Sequence, residues 1–153
     1  MKYLRKLDIQ LVKGEYKNPV KGQVRDPEQV YEVFKAIKDK AQETLIGIYL
    51  SNELEVNSYD TLSIGSSTEA GVSSDEVFNR AVITRSHYII LIHNHPSGKA
   101  VPSPEDKEAI VSLREGAKWL KKALLDFIIV GDDQYWSLFE EEAGGKYSLG
   151  AIF

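Results

Sequence analysis

One stretch restricts the fold more than any other: an apolar run at residues 88–92 that ends directly in two histidines. A short continuous apolar run of this kind is typical of a buried strand. Residues i and i+2 of a strand point to the same face, so His93 and His95 present two imidazoles side by side where the strand ends. The sequence therefore predicts a buried strand that carries a pair of metal-binding side chains to one edge of a sheet.

Ser103 and Asp106 follow these histidines and complete a candidate metal site. Hydrolytic zinc sites use three protein ligands and leave one position for water, and His93, His95 and Asp106 supply that number. A water in such a site ionises near neutral pH, a nearby carboxylate can take its proton, and a hydroxyl can hydrogen-bond the developing oxyanion. A His-x-His pair is a weak signal by itself, so this hypothesis needs support from the surrounding residues.

The residues from Ser103 to Asp106 also match the start of a helix. Ser103 is a preferred cap residue, Pro104 suits the first helical position, and the carboxylate of Asp106 suits the first turn. On this interpretation Asp106 stabilises the end of a helix and binds no metal. The two roles are compatible, because a helix that begins beside the strand end brings its first turn towards the histidines.

Two other polar residues have structural interpretations. His87 opens the strand at the end far from His95, and we interpret it as a surface or structural histidine. Asp126 interrupts an apolar segment, and we interpret it as a buried hydrogen-bond partner or an edge residue. A supporting role for Asp126 behind the metal ligands is an open alternative.

The composition excludes several classes of protein and fits one domain of 153 residues. The absence of cysteine excludes disulfides, thiolate catalysis and Cys-ligated zinc. The formal net charge of -4 gives no reason to expect a surface that wraps nucleic acid. No apolar run approaches the roughly 18 residues of a membrane span, and the N-terminus does not resemble a signal peptide. We therefore expect a soluble, cytoplasmic protein.

Strand and helix patterns alternate along the chain. Residues 7–11 alternate apolar and polar side chains, which predicts a half-buried strand, and residues 26–42 carry the pattern of a capped amphipathic helix. The remaining patterns predict a hairpin at 45–50 and 55–64, a loop at 65–71, a helix from Ser73, the strand at 88–92, a helix from Ser103, strands at 124–130 and 135–139, and a tail at 143–153. Strands interleaved with helices indicate an α/β or α+β layer structure around one sheet.

The spacing of His93, His95, Ser103 and Asp106 resembles the JAMM motif of the JAB/MPN metallopeptidases. The surrounding sequence His-Asn-His-Pro-Ser-Gly is similar to that of the bacterial RadC-like branch of this family. The similarity covers residues 42–140, which is most of the chain. It includes four flanking segments: Gln42-Glu43, Ile64-Gly65, Glu76-Val77-Phe78 and Leu124-Leu125-Asp126.

The resemblance implies a fold, a metal and a reaction. The implied fold belongs to the α/β class, a three-layer α/β/α structure with a mixed central sheet, similar to cytidine deaminase. The implied site holds Zn²⁺ through His93, His95 and Asp106, with Glu43 as general base and Ser103 at the oxyanion. The implied reaction is hydrolysis of an amide or isopeptide bond in a peptide or protein substrate.

Glu43 has a second interpretation. On periodicity alone, it is a solvated acid at the end of the preceding polar helix segment. Its position within the Gln-Glu pair that resembles the family favours the role of base. Glu53 and Glu55 are the other carboxylates near a predicted strand end, and their position in the hairpin turn favours a solvated role.

The resemblance places a RadC-like JAB domain at residues 42–142, between an N-terminal strand and helix at 1–41 and a C-terminal tail at 143–153. This chain has Phe127 where family members commonly carry histidine, and Ser74-Asp75 where many have Pro-Arg.

Full-length RadC proteins add a helical, DNA-binding-like N-terminal region, and residues 1–41 are too short to hold it. The alternative function, suggested by the family label, is a non-enzymatic RadC-like module associated with DNA repair or mobile elements. We expect no strong binding of nucleic acid.

Overall fold

The described chain alternates strands and helices, as the sequence predicts. The structure is a computed structural model that describes residues 3–18, 21–62 and 72–147. In these ranges the helices are α1 (Pro27–Phe34), a 3-10 helix that follows it (Lys35–Asp39), α2 (Ser74–Ile83), α3 (Pro104–Trp119) and α4 (Leu138–Ala143). The strands are β1 (Leu45–Leu50), β2 (Val56–Leu62), β3 (Tyr88–Asn94), β4 (Ala123–Val130) and β5 (Tyr135–Ser137).

The described strands form one mixed sheet in the order β2-β1-β3-β4-β5. Strand β1 pairs antiparallel with both β2 and β3, β3 pairs parallel with β4, and β4 pairs antiparallel with β5. The parallel pair is connected through α3, because parallel neighbours need a long crossover. Every residue of β1 and β3 is buried, as expected for central strands made almost entirely of apolar residues.

Helices cover both faces of this sheet. On one face, α1 and the 3-10 helix contribute Val30, Phe34 and Ile37 to an apolar cluster with the strands. On the opposite face, α2 and α3 contribute Val77 and Leu113 to a second cluster. The structure therefore confirms the α/β class and the three-layer arrangement around a mixed sheet, consistent with a JAB/MPN-type fold.

The prediction of a strand at residues 7–11 is wrong. Residues 3–13 have no regular secondary structure, and the side chains of Leu7 and Leu11 are 82% and 71% exposed. An alternating pattern forms a stable strand only where a neighbouring strand accepts its hydrogen bonds and a core covers its apolar face. In the described structure neither is present for this segment.

Two predicted elements end earlier than their patterns indicate. The helix predicted to reach about residue 42 ends as α1 at Phe34, continues as 3-10 helix to Asp39, and becomes extended at Lys40. The strand predicted at 135–139 ends at Ser137, because the Ser137 hydroxyl oxygen accepts a hydrogen bond from the Glu140 amide and caps α4. At Ser137 a local hydrogen bond to a side chain replaces the regular strand pattern.

The other predicted elements are found close to their expected positions, including the hairpin of β1 and β2 and the helices that begin after Ser73 and Ser103. The end of the second hairpin strand, the predicted loop at 65–71 and residues 148–153 of the predicted tail lie outside the described residues. None of the described helices combines the length and the hydropathy that crossing a membrane requires.

Candidate metal centre

The end of β3 and the start of α3 bring together the histidines and the carboxylate of the predicted motif. His93 is the next-to-last residue of β3 and is 3% exposed, whereas His95 follows the strand and is half-buried. Asp106 lies in the first turn of α3 and is also buried. The chain therefore reaches this site twice, once from the strand and once from the crossover helix that returns over it.

Asp106 contacts both imidazoles. Its Oδ1 atom lies 3.2 Å from Nε2 of His93, and its Oδ2 atom lies 3.1 Å from Nε2 of His95. The two imidazole rings lie edge to face, with centroids 4.9 Å apart. Two Nε2 atoms and one carboxylate therefore surround a single small volume at the edge of the sheet.

Glu43 reaches the same group from the segment before β1. Leu45 pairs directly with His93 in the sheet, which places residue 43 beside the end of β3. The Oε1 atom of Glu43 lies 2.9 Å from Nδ1 of His93, and the glutamate side chain is 40% exposed. Ligand atoms of Glu43, His93 and His95 all lie within 4.8 Å of one another, so Glu43 is a further carboxylate within reach of a metal.

The hydrogen bonding of His93 fits a bound cation. An ionised Glu43 can only accept, so Nδ1 of His93 donates to it, and the neutral ring keeps a lone pair on Nε2. Nε2 is buried and has no hydrogen-bond partner, although Oδ1 of Asp106 is 3.2 Å away. Two buried acceptors at this distance need a positive charge between them, either a proton on the ring or a metal ion. Two imidazoles with carboxylates are a donor set that zinc accepts.

The two carboxylates beside His93 favour positive charge on its ring. Burial lowers the pKa of His93, but the neighbouring carboxylates of Asp106 and Glu43 outweigh burial, so the net shift of this pKa is upward. Burial raises the pKa of Asp106, but His93 and His95 outweigh burial and hold this pKa well below its usual range. The electrostatics of the site therefore favour a positive charge between the histidines and Asp106.

Ser103 has the helix-capping role that its sequence context indicates. Its hydroxyl oxygen accepts a hydrogen bond from the Asp106 amide at 3.1 Å, and its own amide donates to Oδ2 of Asp106 at 2.8 Å. Together these bonds form a capping box at the start of α3. The box fixes the Asp106 carboxylate in the orientation that faces the histidines. Asp106 therefore both caps α3 and contacts the two imidazoles.

The loop after His95 is held close to the end of β4. Nδ1 of His95 lies 3.0 Å from the carbonyl oxygen of Lys99, which leaves Nε2 for Asp106. Gly98 has φ of +79°, and a Cβ atom there would collide with the carboxylate of Asp132. A glycine is therefore required at the turn that orients the second histidine.

Three residues discussed from the sequence lie away from the metal site. Glu53 and Glu55 lie in the turn after β1, at the end of that strand opposite to the one beside His93. His87 is exposed, as interpreted from the sequence. Their positions leave Glu43 as the carboxylate beside the histidines that approaches from the β1 side.

Asp126 is a buried hydrogen-bond centre at another place in the fold. It is 0% exposed and accepts hydrogen bonds from the amides of Phe127 and Phe139 and from the hydroxyls of Ser137 and Tyr147. These donors connect β4 to β5, to α4 and to the segment after α4. The first structural interpretation of Asp126 is thus correct, and its four hydrogen bonds go to residues other than the metal-site residues.

Two neighbours of His93 were not identified from the sequence as parts of the site. The ring of Phe127 lies edge to face with the His93 imidazole, with centroids 5.2 Å apart, at the position where family members commonly carry histidine. Asn94 is fully buried and holds the segment before β1. The signal for Asn94 was present: a polar residue between two same-face histidines of a buried strand must point into the opposite layer.

The comparisons with known proteins agree with this geometry. The family model of the RadC-like JAB domain matches residues 24–144. A UPF0758 protein of Methanosarcina mazei is 36% identical over 122 residues, which cover 79% of this chain and 53% of that protein. A UPF0758 protein of Methanococcoides burtonii is 36% identical over 138 residues, which cover 90% of this chain and 58% of that protein.

The chain spans about half the length of the curated relatives it matches, and their names state no activity. The family model nevertheless covers most of the chain, from before α1 to the end of α4. On this match, and on the identity to these relatives, the chain belongs to the RadC-like JAB domain family.

Proposed function

We propose that this chain is a zinc-dependent hydrolase that cleaves an amide or isopeptide bond in a peptide or protein. The observation that carries the proposal is the buried Nε2 atom of His93, which faces Asp106 without a hydrogen bond. Without a cation between them, a buried acceptor opposite a second acceptor is costly, since it leaves a polar atom unsatisfied. A metal ion bound there would satisfy the buried nitrogen and could activate a water molecule for hydrolysis.

His93, His95 and Asp106 are the proposed ligands, through the atoms that converge in the structure. Zinc bound by three such ligands would lower the pKa of a coordinated water to about 7, far below that of bulk water, and would act as a Lewis acid on a carbonyl. Nδ1 of His93 and Nδ1 of His95 are each bonded to an oxygen acceptor, Glu43 and the Lys99 carbonyl respectively. These outer bonds keep both Nε2 atoms directed towards the ligand position.

Glu43 is the proposed general base. It is partly exposed, so it can receive the proton of an attacking water and release it to the nitrogen of the departing amine. Oε1 is occupied by His93, while Oε2 is the oxygen that serves this transfer in the proposal.

Ser103 is the proposed oxyanion donor. Its oxygen accepts from the Asp106 amide in the capping box, and its hydroxyl hydrogen is still available for donation to the developing oxyanion.

The experiment is hydrolysis of a peptide library in water labelled with the heavy isotope of oxygen. The library contains internally quenched peptides and matched peptides whose scissile bond joins a carboxylate to a lysine side chain. The proposal expects label in the new carboxylate, loss of turnover after chelation of the metal, and recovery on addition of zinc. A protein that binds zinc but cleaves neither set would instead favour the non-enzymatic RadC-like module.

A further inference from the structure

We propose that Asn94 is a positioning residue for Glu43, and this inference rests on the proposed role of Glu43 as general base. Asn94 is the last residue of β3, between the two histidines, and it is 0% exposed. Its side chain makes three hydrogen bonds, and all three go to the backbone of residues 40–44. Glu43 lies within that segment.

The three bonds hold the backbone on both sides of Glu43. Oδ1 of Asn94 accepts from the Thr44 amide at 2.6 Å, immediately after the glutamate. Nδ2 donates to the carbonyl oxygens of Gln42 and Lys40, each at 3.3 Å, immediately before it. In addition, the Asn94 amide donates to the Thr44 carbonyl at 3.4 Å, which extends the ladder between β1 and β3 by one step.

This arrangement explains how a partly exposed glutamate is held in place. The Glu43 side chain is 40% exposed, and it accepts a hydrogen bond from His93. Packing therefore contributes little to its orientation, and the direction in which it leaves the chain depends on the backbone. Asn94 fixes that backbone relative to β3, the strand that also carries His93. The proposed base and one proposed ligand are thereby both held in position by the same strand, β3.

The extended backbone at residue 40 has the same origin. The preceding 3-10 helix ends at Asp39, and Lys40 adopts φ of -79° and ψ of 131°. In a continued helix the carbonyls of Lys40 and Gln42 would accept from amides further along the chain, whereas here they accept from Asn94. The asparagine thus favours the straight approach of the segment to β1.

A purely structural role for Asn94 makes different predictions from a positioning role. A buried amide that only satisfies backbone groups would, on removal, lower stability and leave the catalytic step unchanged in the folded fraction. A positioning residue acts through Glu43, so its removal should lower kcat more than KM and should have no further effect once Glu43 is already disabled.

The first measurement is amide hydrogen exchange at Thr44, which needs no substrate. Asn94→Ala should accelerate this exchange relative to the exchange of the β1 amides, while zinc bound per folded chain stays unchanged. Ser137→Ala, which removes a buried hydroxyl bonded to Asp126, is the matched control and should leave the Thr44 exchange as in the wild type. Unchanged exchange at Thr44 in Asn94→Ala would overturn the inference, whether or not the protein hydrolyses any peptide.

The second measurement is a double-mutant cycle with the most rapidly cleaved peptide of the library. Asn94→Ala should lower kcat by about ten- to a hundredfold, the usual effect of removing an outer-shell partner. The same change in a Glu43→Gln background should alter kcat less than about twofold. Equal losses in both backgrounds would contradict a role through Glu43.

Asn94→Asp serves where the alanine variant does not fold. It keeps the oxygen that accepts from Thr44 and loses the two donations. Its kcat should therefore lie between the kcat of the wild type and the kcat of Asn94→Ala. A wild type that hydrolyses no peptide refutes the proposed function and leaves the exchange measurement to decide the role of Asn94.

Discussion

Nδ1 of His93 and Oε1 of Glu43 lie 2.9 Å apart, although 50 residues separate them in the sequence. The contact follows from the antiparallel pairing of β1 with β3, which places the residues before β1 beside the end of β3. It fixes which ring nitrogen of His93 donates and therefore which one remains for a cation. The same pair thus connects the proposed base to a proposed ligand.

Glu43→Gln should separate catalysis from metal binding. Glutamine keeps an oxygen that can accept from His93 and cannot take a proton, so hydrolysis should fall by about 10²–10⁴-fold while zinc and fold are retained. Glu55→Gln is the matched control, because it removes a glutamate at the opposite end of β1. Peptide hydrolysis and zinc content are measured on the same samples. A fully active Glu43→Gln protein, or one without zinc, would show that Glu43 has another role.

Gly98→Ala should loosen the loop that holds His95. An alanine at φ of +79° costs about 1–2 kcal/mol in the backbone, and its Cβ must also displace the Asp132 carboxylate. We expect a lower free energy of unfolding in urea and weaker zinc binding. Gly145→Ala is the control, since a Cβ at that position meets no described atom within 4 Å beyond its own chain neighbours. Equal stability and zinc affinity in the two variants would refute the requirement for glycine at residue 98.

Asp126→Asn should change how stability depends on pH. Burial raises the pKa of Asp126 above the ordinary carboxyl value of about 3.9, although the hydrogen bonds that it accepts oppose the shift. Between these two pKa values the folded state binds more protons than the unfolded state, so the free energy of unfolding falls as pH rises through this window. The asparagine variant lacks this contribution.

The measurement for Asp126 is urea denaturation of both proteins at a series of pH values from about 4 upwards. The stability of the wild type relative to Asp126→Asn should decrease with rising pH, by at most about 1.4 kcal/mol per pH unit. Asp133→Asn controls for the loss of one negative charge at an exposed position. A stability of the wild type that increases relative to Asp126→Asn with rising pH would contradict the upward shift.

Duplex DNA should bind weakly and without sequence preference. The chain has 23 acidic and 19 basic residues, and affinity for the phosphate backbone depends on cationic side chains that replace its counterions. A fluorescence anisotropy titration with labelled duplex DNA at physiological salt tests this expectation. A tight complex under these conditions would support the alternative function in DNA repair or mobile-element biology.

The fold and the site differ in how far the sequence determines them. The apolar runs of β3 and β4 and the capping signal at Ser103 are local patterns, and the structure has these elements where the patterns predict them. Leu7 and Leu11 carry an equally regular pattern, but none of the described strands pairs with their segment, and strand formation depends on such pairing. Local patterns therefore predict central elements better than peripheral ones.

Within the site, the convergence of Asp106 with the histidines could be expected from the strand-loop-helix order. The contact of Glu43 with His93 and the three bonds of Asn94 could not be derived from the spacing. They depend on the register between β1 and β3, which no short-range pattern specifies.

The most direct test of the central claim is the zinc content of protein purified without added metal. Wild type, His95→Ala and Asp106→Ala are compared by plasma mass spectrometry after exhaustive dialysis, with circular dichroism to verify the fold. The account predicts about one zinc per chain in the wild type and almost none in either folded variant. Stoichiometric zinc in His95→Ala or Asp106→Ala, or a wild type that takes up no zinc even on titration, would contradict it.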